Sequence, residues 1–194
     1  MPSCAKGCSL TIARRSIVKL GLGGLCWGTV SPLLVHAQAD PASVPPQKDD
    51  VFVRVGDSES KPLTLSDIPG GARYVSAWPM APDTKVIRSV SRLNAVLLIR
   101  SDPQTLIGAS RSDSVAGVLA YSALCTHAGC NLTTWIPEDG VLACDCHASE
   151  FDARAAGKVL DGPASRPLPA LALKLSGDVL VVAKPFASAI RFDE

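Results

Sequence analysis

The chain has 194 residues, which is enough for one domain with a hydrophobic core. Apolar residues make up 47% of it and the formal net charge is +1, so the composition excludes a disordered chain and indicates no nucleic-acid partner. The charge is unevenly spread, because the first 39 residues contain four basic residues and no acidic one. The remainder has 15 basic and 18 acidic residues, a net charge of −3.

The first 39 residues are predicted to be an export signal of the twin-arginine type. Arg14-Arg15 precedes an apolar, glycine-rich stretch at 20–35, and Ala-Gln-Ala at 37–39 is a small-residue cleavage motif. The apolar stretch has 16 residues, whereas a membrane-spanning helix needs about 20. Two alternatives stay open: a signal that is removed, or a retained inner-membrane anchor. In both cases the protein is expected in the periplasm.

The segment 40–50 is predicted to be a linker, because it is rich in proline and charge, and residues 51–194 are predicted to form one domain. Short apolar runs separated by turn residues indicate strands, and Gly177-Asp178 indicates a hairpin turn. No long stretch has a helical period. The pattern therefore predicts an all-β fold, an antiparallel sandwich or a small barrel. The predicted strands are 51–55, 74–77, 85–88, 95–100, 115–122, 141–144, 171–175 and 179–183.

Four of the seven cysteines lie close together in the C-terminal half, in the motifs CTHAGC at 125–130 and CDCHAS at 144–149. The first motif contains C-x-H and the second C-x-x-H, so each offers one thiolate and one imidazole. In C-x-H, alternate side chains of an extended loop face the same side. Two cysteines and two histidines are the ligand set of a Rieske 2Fe–2S centre.

Other chemistry for the same residues stays open. A structural zinc site is the main alternative, although zinc loops usually use C-x-x-C or H-x-x-x-H spacings. Two disulfides among the four cysteines would leave both histidines without a role. Haem attachment requires C-x-x-C-H, which is absent. A mononuclear iron site of an oxygenase is disfavoured, because the third histidine, His36, lies in the predicted signal.

The two motifs resemble the cluster-binding boxes of the Rieske family, CTHxGC and CPCHxS, and the resemblance extends over residues 115–186. It implies a Rieske-type β fold with a cluster-binding subdomain, one 2Fe–2S cluster, and three cluster loops at 125–130, 144–151 and 162–164. It also implies a role for each matching position. These are the ligands Cys125, His127, Cys144 and His147, the disulfide pair Cys130 and Cys146, the serine that donates to a cluster sulfur, Ser149, and the covering loop of Gly162, Pro163 and Ala164.

Two positions depart from the family pattern. The proline between the cysteines of the second box is replaced by Asp145, and the tyrosine of quinol-oxidising members is replaced by Phe151. An added acid and a lost hydroxyl donor both disfavour the reduced, more negative cluster. The reduction potential is therefore predicted to be lower than in quinol-oxidising members of the family.

The resemblance implies an electron-transfer subunit of an oxidoreductase complex rather than a catalytic chain. The first expectation is the small subunit of a periplasmic molybdenum oxidoreductase similar to arsenite oxidase, with a larger catalytic subunit as its partner. The second is the Rieske subunit of a cytochrome bc-type quinol–cytochrome c oxidoreductase, with a cytochrome and quinol as partners. A zinc-binding structural module is the alternative without redox chemistry.

Overall fold

The computed structural model describes residues 40–71 and 73–193, so the predicted signal at 1–39 lies outside the described residues. The described part of the chain forms ten strands, and every pairing between them is antiparallel. The strands are β1 (Val51–Arg54), β2 (Val75–Met80), β3 (Val96–Arg100), β4 (Val118–Ser122), β5 (Thr134–Ile136), β6 (Val141–Cys144), β7 (Ser149–Asp152), β8 (Lys158–Asp161), β9 (Ala170–Ser176) and β10 (Val179–Lys184).

Six strands close into a barrel in the order β1-β10-β9-β4-β3-β2, and the other four form a second sheet in the order β5-β6-β7-β8. Fully buried apolar side chains such as Phe52, Leu98 and Val182 fill the barrel. The prediction of an all-β fold is confirmed, and a barrel is the form that it takes. The second sheet is inserted between β4 and β9 and carries the two cysteine–histidine motifs at its start and middle.

Seven of the eight predicted strands overlap strands of the structure, six in the barrel and one, β6, in the second sheet. Ser176 pairs with Val179, so Gly177-Asp178 is the predicted two-residue turn, with Gly177 at φ +64°. The predicted strand at 85–88 is wrong, because only Ile87 makes an isolated bridge, to Met80. Strands β5, β7 and β8 were not predicted, since they are only three or four residues long.

Helical structure is limited within the described residues. The one α-helix, α1, spans Gly108–Asp113, and short 3₁₀ turns occur at Leu65–Asp67, Arg92–Asn94, Pro103–Thr105 and Ala153–Ala155. Over residues 40–71 and 73–193, none of these helices is long and apolar enough to span a bilayer.

The predicted linker at 40–50 contacts the barrel along its length. Asp50, 2% exposed, forms a bidentate ion pair with Arg88, with Oδ2 to Nε at 2.6 Å and Oδ1 to Nη2 at 3.0 Å. The amide of Asp49 donates to the carbonyl of Val182 at 2.9 Å. The side-chain amide of Asn94 donates to a carbonyl within the segment at 2.9 Å. These contacts fix the segment to the barrel, which is why Arg88 is turned inward.

A buried hydrogen-bond network joins the barrel to the second sheet. The hydroxyl of Tyr121 on β4 donates to the carbonyl of Ala153 at 2.7 Å and lies 3.0 Å from the hydroxyl of Ser110. The same serine donates to Ala153 at 2.8 Å and accepts from the amide of Ala156 at 2.7 Å. Burial, the largest cause, raises the pKa of Tyr121 to about 12. The neutral phenol is therefore the form that the fold requires.

We expect this tyrosine to make the protein labile in alkali. Between the unfolded pKa of about 10 and the folded pKa of about 12, only the unfolded chain ionises, so the free energy of unfolding falls as pH rises. The loss should total about 2–3 kcal/mol. Urea unfolding at pH 8, 10 and 11.5 measures it, and Tyr121→Phe should remove most of the pH dependence in that range. An equally steep decline in that variant would contradict the assignment.

Candidate metal centre

The topology brings three loops to one end of the second sheet. Because its four strands are antiparallel, the start of β5, the end of β6, the start of β7 and the end of β8 lie at the same edge. The loop 125–130 precedes β5, the turn 145–148 joins β6 to β7, and the loop 162–164 follows β8. All sequence-predicted site residues thus lie at this edge of the sheet.

The first loop is a closed turn. The amide of Cys125 donates to the carbonyl of Cys130 at 2.8 Å, and the amide of Gly129 donates back to the carbonyl of Cys125 at 2.9 Å. Gly129 has φ +70° and packs against the ring of Phe192, so a side chain at this position would be strained and would collide with that ring. The turn leaves His127 at its tip.

The second loop is the turn of the β6–β7 hairpin. Cys144 ends β6 and pairs in register with Ser149, which begins β7, so these two residues face each other across the hairpin. Asp145 is exposed, and both oxygens of its carboxylate accept hydrogen bonds, from the hydroxyls of Thr133 and Thr134. The acid that replaces the family's proline therefore ties the second loop to the segment that enters β5.

A disulfide between Cys130 and Cys146 joins the first two loops, with the two Cα atoms 6.6 Å apart. The sulfur atoms of these residues and of Cys144 lie within 4.8 Å of one another. Since two of the three sulfurs are joined to each other, Cys144 is the free thiol of that group. Cys125 is the second free thiol among the described residues, and both free thiols are buried.

The two histidine rings lie side by side at the tip. Their centroids are 4.8 Å apart and their planes are nearly perpendicular, at 87°. His147 is exposed and His127 is half-buried. Nδ1 of His127 is buried and has no hydrogen-bond partner in the part of the chain that the structure describes. A buried polar atom without a partner is costly, so this nitrogen requires a ligand.

The environment of the thiols suits a positively charged metal group. Burial is the main cause that raises the pKa of the Cys125 thiol, and the neighbouring Cys144 raises it further. A buried thiolate next to a second sulfur is therefore unfavourable without a cation. A bound metal reverses this balance and deprotonates its thiol ligands. Two buried thiols, an unsatisfied imidazole nitrogen and a second imidazole fit the donor set of a 2Fe–2S cluster of the Rieske type.

The third loop covers Ser149, which is fully buried. The amide of Ala164 donates to the hydroxyl oxygen of Ser149 at 3.2 Å, and this hydroxyl lowers the pKa of the Cys125 thiol, whereas burial, the larger effect, raises it. Gly162, at φ +84°, lies directly against the backbone of Ala148, where a Cβ would overlap the carbonyl oxygen. Glycine is thus required for the loop to approach so closely.

Ser149→Ala is expected to lower the reduction potential without loss of the cluster. The hydroxyl accepts from Ala164, so its own proton is free to be donated towards a sulfur atom of the centre. Loss of a hydrogen bond of about 1–2 kcal/mol corresponds to a decrease of roughly 40–90 mV for a one-electron couple. A redox titration measures the shift. Ser110→Ala removes another buried serine, which donates to Ala153 beyond the opposite end of β7, and should leave the potential unchanged.

Removal of the disulfide in the double variant Cys130→Ser, Cys146→Ser is expected to leave an assembled but less stable centre. The bond is the covalent link between the first two loops, whereas the free thiols and histidines are retained. Release of iron to a chelator should be faster than in the wild-type protein at the same temperature. Equal rates would show that the disulfide does not hold the loops together.

Three contacts around the first loop were not predicted from the sequence. Arg92 donates to the carbonyl of Gly129, Thr126 donates to the carbonyl of Arg166 at 2.8 Å, and Asp193 contacts the loop backbone. These partners lie between 37 and 67 residues away from the loop positions that they contact. No local spacing signals such pairs, since they depend on how the barrel closes.

Comparison with known proteins identifies a domain within the chain. Residues 89–172 match the Rieske [2Fe-2S] domain. A protein of Haloferax mediterranei, provisionally named as a Rieske subunit of a respiratory nitrate reductase, is 40% identical over 88 residues, which are 45% of this chain and 39% of that protein. The Rieske iron–sulfur subunit of the cytochrome bc1 complex of Corynebacterium glutamicum is 36% identical over 95 residues, which are 46% of this chain and 23% of that subunit.

Among solved structures, the chain is similar to the plasma membrane Rieske protein of the cyanobacterium Synechocystis, with 29% identity, a TM-score of 0.36, and coverage of 55% of this chain and 84% of that one. The chain spans less than half the length of either sequence relative, so the match describes the domain and not those whole proteins. Residues 89–172 of the chain thus form a Rieske [2Fe–2S] domain, and a domain of this kind implies one 2Fe–2S cluster.

Proposed function

We propose that the chain holds its cluster through Cys125, His127, Cys144 and His147 and works as the electron-transfer subunit of a periplasmic oxidoreductase complex. The observations that carry this proposal are two buried free thiols, on the first and second loops, and a buried imidazole nitrogen on the first loop that has no partner among the described residues. A Rieske cluster accepts and releases one electron at a time at a relatively high potential.

The chain's own residues have distinct tasks in this proposal. Phe151, fully buried, lies in the same apolar cluster as Cys125 and Cys144 and excludes water from the inner side of the centre. His147 is exposed, which gives a partner cofactor a short approach to the centre. Ser149 holds a hydroxyl proton towards the sulfur atoms and so stabilises the reduced state.

More specifically, we propose that the chain is the small subunit of a molybdenum oxidoreductase similar to arsenite oxidase, with a larger catalytic chain as its partner. Phe151 and Asp145 support it, because both favour a potential below that of quinol-oxidising members. A relative with a nitrate reductase subunit name also supports a partner outside the cytochrome bc complexes. The periplasmic location, by the twin-arginine route and with or without a retained membrane anchor, rests on the motifs at 14–15 and 37–39.

A second candidate is the Rieske subunit of a cytochrome bc-type complex, with quinol and a cytochrome as partners. The observation that favours it is the similarity to a bc1 subunit at 36% identity. The two candidates differ in the reaction that reduces the centre, since a bc-type subunit must oxidise quinol directly.

The midpoint potential and its response to quinol separate the two candidates. We expect a midpoint near or below zero and no reduction when the oxidised protein is mixed with a short-chain ubiquinol, followed by its visible absorption. A high midpoint with rapid reduction by quinol would contradict the molybdenum-enzyme proposal and favour the bc-type one. Asp145→Asn, which removes one negative charge from the second loop, should raise the midpoint in either case.

A further inference from the structure

We propose that residues 185–193, which follow β10, form a latch. The latch holds the first loop, 125–130, and the covering loop, 162–164, together, and Asp193 in it is a positioning residue for His127. The inference goes beyond the proposed function, although it takes His127 as a ligand from it. Phe192 and Asp193 lie 62 and more residues beyond the first loop in the sequence, yet they contact it directly.

The backbone of Asp193 forms the first half of the latch. Its amide donates to two successive carbonyls of the first loop, that of Thr126 at 3.0 Å and that of His127 at 2.8 Å. The ring of Phe192 packs against Gly129 in the same loop, where the absence of a side chain allows the contact. The backbone of His127, the proposed ligand, is therefore fixed by a hydrogen bond to its own carbonyl.

The side chain of Asp193 forms the second half. Its carboxylate accepts from the amide of Ser165 at 2.8 Å, from the hydroxyl of Ser165 at 2.7 Å, and from Nε and Nη2 of Arg166 at 3.0 and 2.7 Å. These donors lie just after the covering loop 162–164. The hydrogen bonds from Ser165, and next the cation of Arg166, lower the pKa of Asp193 to about 2, so the carboxylate is ionised at neutral pH.

Further hydrogen bonds join the segment after the covering loop to both the first loop and the latch. The hydroxyl of Thr126 donates to the carbonyl of Arg166 at 2.8 Å, and Nη2 of Arg166 donates to the carbonyl of Phe192 at 3.1 Å. The start of the latch segment is fixed by the amide of Ala187, which donates to the carbonyl of Ala170 at 3.0 Å. Each of the three segments thus bonds to the other two.

This arrangement differs from an ordinary surface ion pair. An isolated exposed pair contributes little, because solvent and salt screen it. Here one carboxylate satisfies four donors while its own backbone amide satisfies two carbonyls, and the groups lie in fixed loops. Charge-assisted networks of this kind fix geometry as well as adding stability. The consequence is a first loop that does not open while the disulfide and the latch are both intact.

The experiment compares cluster-loaded wild-type protein with Asp193→Ala and Arg166→Ala. Asp178→Ala is the matched control, because Asp178 is an exposed turn residue whose side chain makes no hydrogen bond among residues 40–71 and 73–193. We expect iron release to a ferrous chelator to be about tenfold faster in both latch variants, as for the loss of one charge-assisted hydrogen bond. Amide hydrogen exchange should rise in 125–130 and 162–167 and not in β9 or β10.

The local readouts distinguish a latch from general destabilisation. A merely structural role would lower thermal stability without changing exchange in 125–130 or the shape of the paramagnetic resonance signal of the reduced centre. Iron release within twofold of the control, with unchanged exchange in 125–130, would overturn the proposal. If wild-type protein showed no 2Fe–2S signal, the proposed function would fail instead, and exchange in 125–130 of Asp193→Ala would still decide the latch.

Discussion

Replacement of His147 by cysteine is expected to lower the reduction potential by at least about 250 mV or to abolish the centre, as the ranges for Rieske and all-cysteine clusters imply. The substitution puts an anionic thiolate in place of a neutral imidazole, so the oxidised state is favoured. His147 is exposed, which means that the exchange removes little packing and the fold should be retained. A redox titration monitored by paramagnetic resonance measures the shift.

The neighbouring acid provides the control for this variant. Asp145→Asn also changes the charge of the second loop by one unit, but it leaves the thiols and imidazoles in place. Its effect should be a smaller shift in the opposite direction, towards a higher potential. A His147→Cys variant with the potential of the wild-type protein would contradict the assignment of His147 as a ligand.

Asp50→Asn is expected to lower the free energy of unfolding by about 3–5 kcal/mol, because it leaves the buried guanidinium of Arg88 without its charge partner. Both side chains are almost fully buried and joined by two hydrogen bonds, at 2.6 and 3.0 Å. The pair also fixes the segment 40–50, whose backbone amide at Gln47 donates to Asp50 at 2.7 Å. Urea unfolding measures the loss.

The adjacent residue is the matched control. Asp49 pairs with Lys174, but both side chains are about half exposed, at 58% and 43%. An exposed pair contributes little to stability, because solvent and salt screen it. Asp49→Asn should therefore cost at most a fraction of what Asp50→Asn costs, although the two variants make the same chemical change one residue apart. Similar losses in the two variants would show that burial of the Asp50 pair is not what makes it important.

The sequence allowed the barrel and the motif positions to be predicted because both depend on local patterns. Leu171, Leu173 and Leu175 alternate as a half-buried strand should, and β9 spans these residues. The spacing within 125–130 and 144–149 predicted a shared site, and both motifs do lie at one edge of the second sheet. The strand predicted at 85–88 failed because an inward-facing charge there serves an ion pair that no pattern reveals.

What could not be predicted depends on contacts between distant residues. Asp50 was assigned to a linker, since an acid beside proline and lysine usually marks a solvated segment, and its partner Arg88 lies 38 residues away. The latch joins Asp193 to residues 27 and more positions away, at Ser165, Arg166 and His127. The strands β7 and β8 were missed because each has only four residues, two of which are charged.

The most direct test of the central claim is pulsed paramagnetic resonance of the reduced protein, prepared with natural and with ¹⁵N-labelled histidine. The account predicts a rhombic 2Fe–2S signal coupled to two histidine nitrogens, one from His127 and one from His147, and a midpoint potential that falls as pH rises. A signal without histidine coupling, or no signal together with bound zinc, would contradict it.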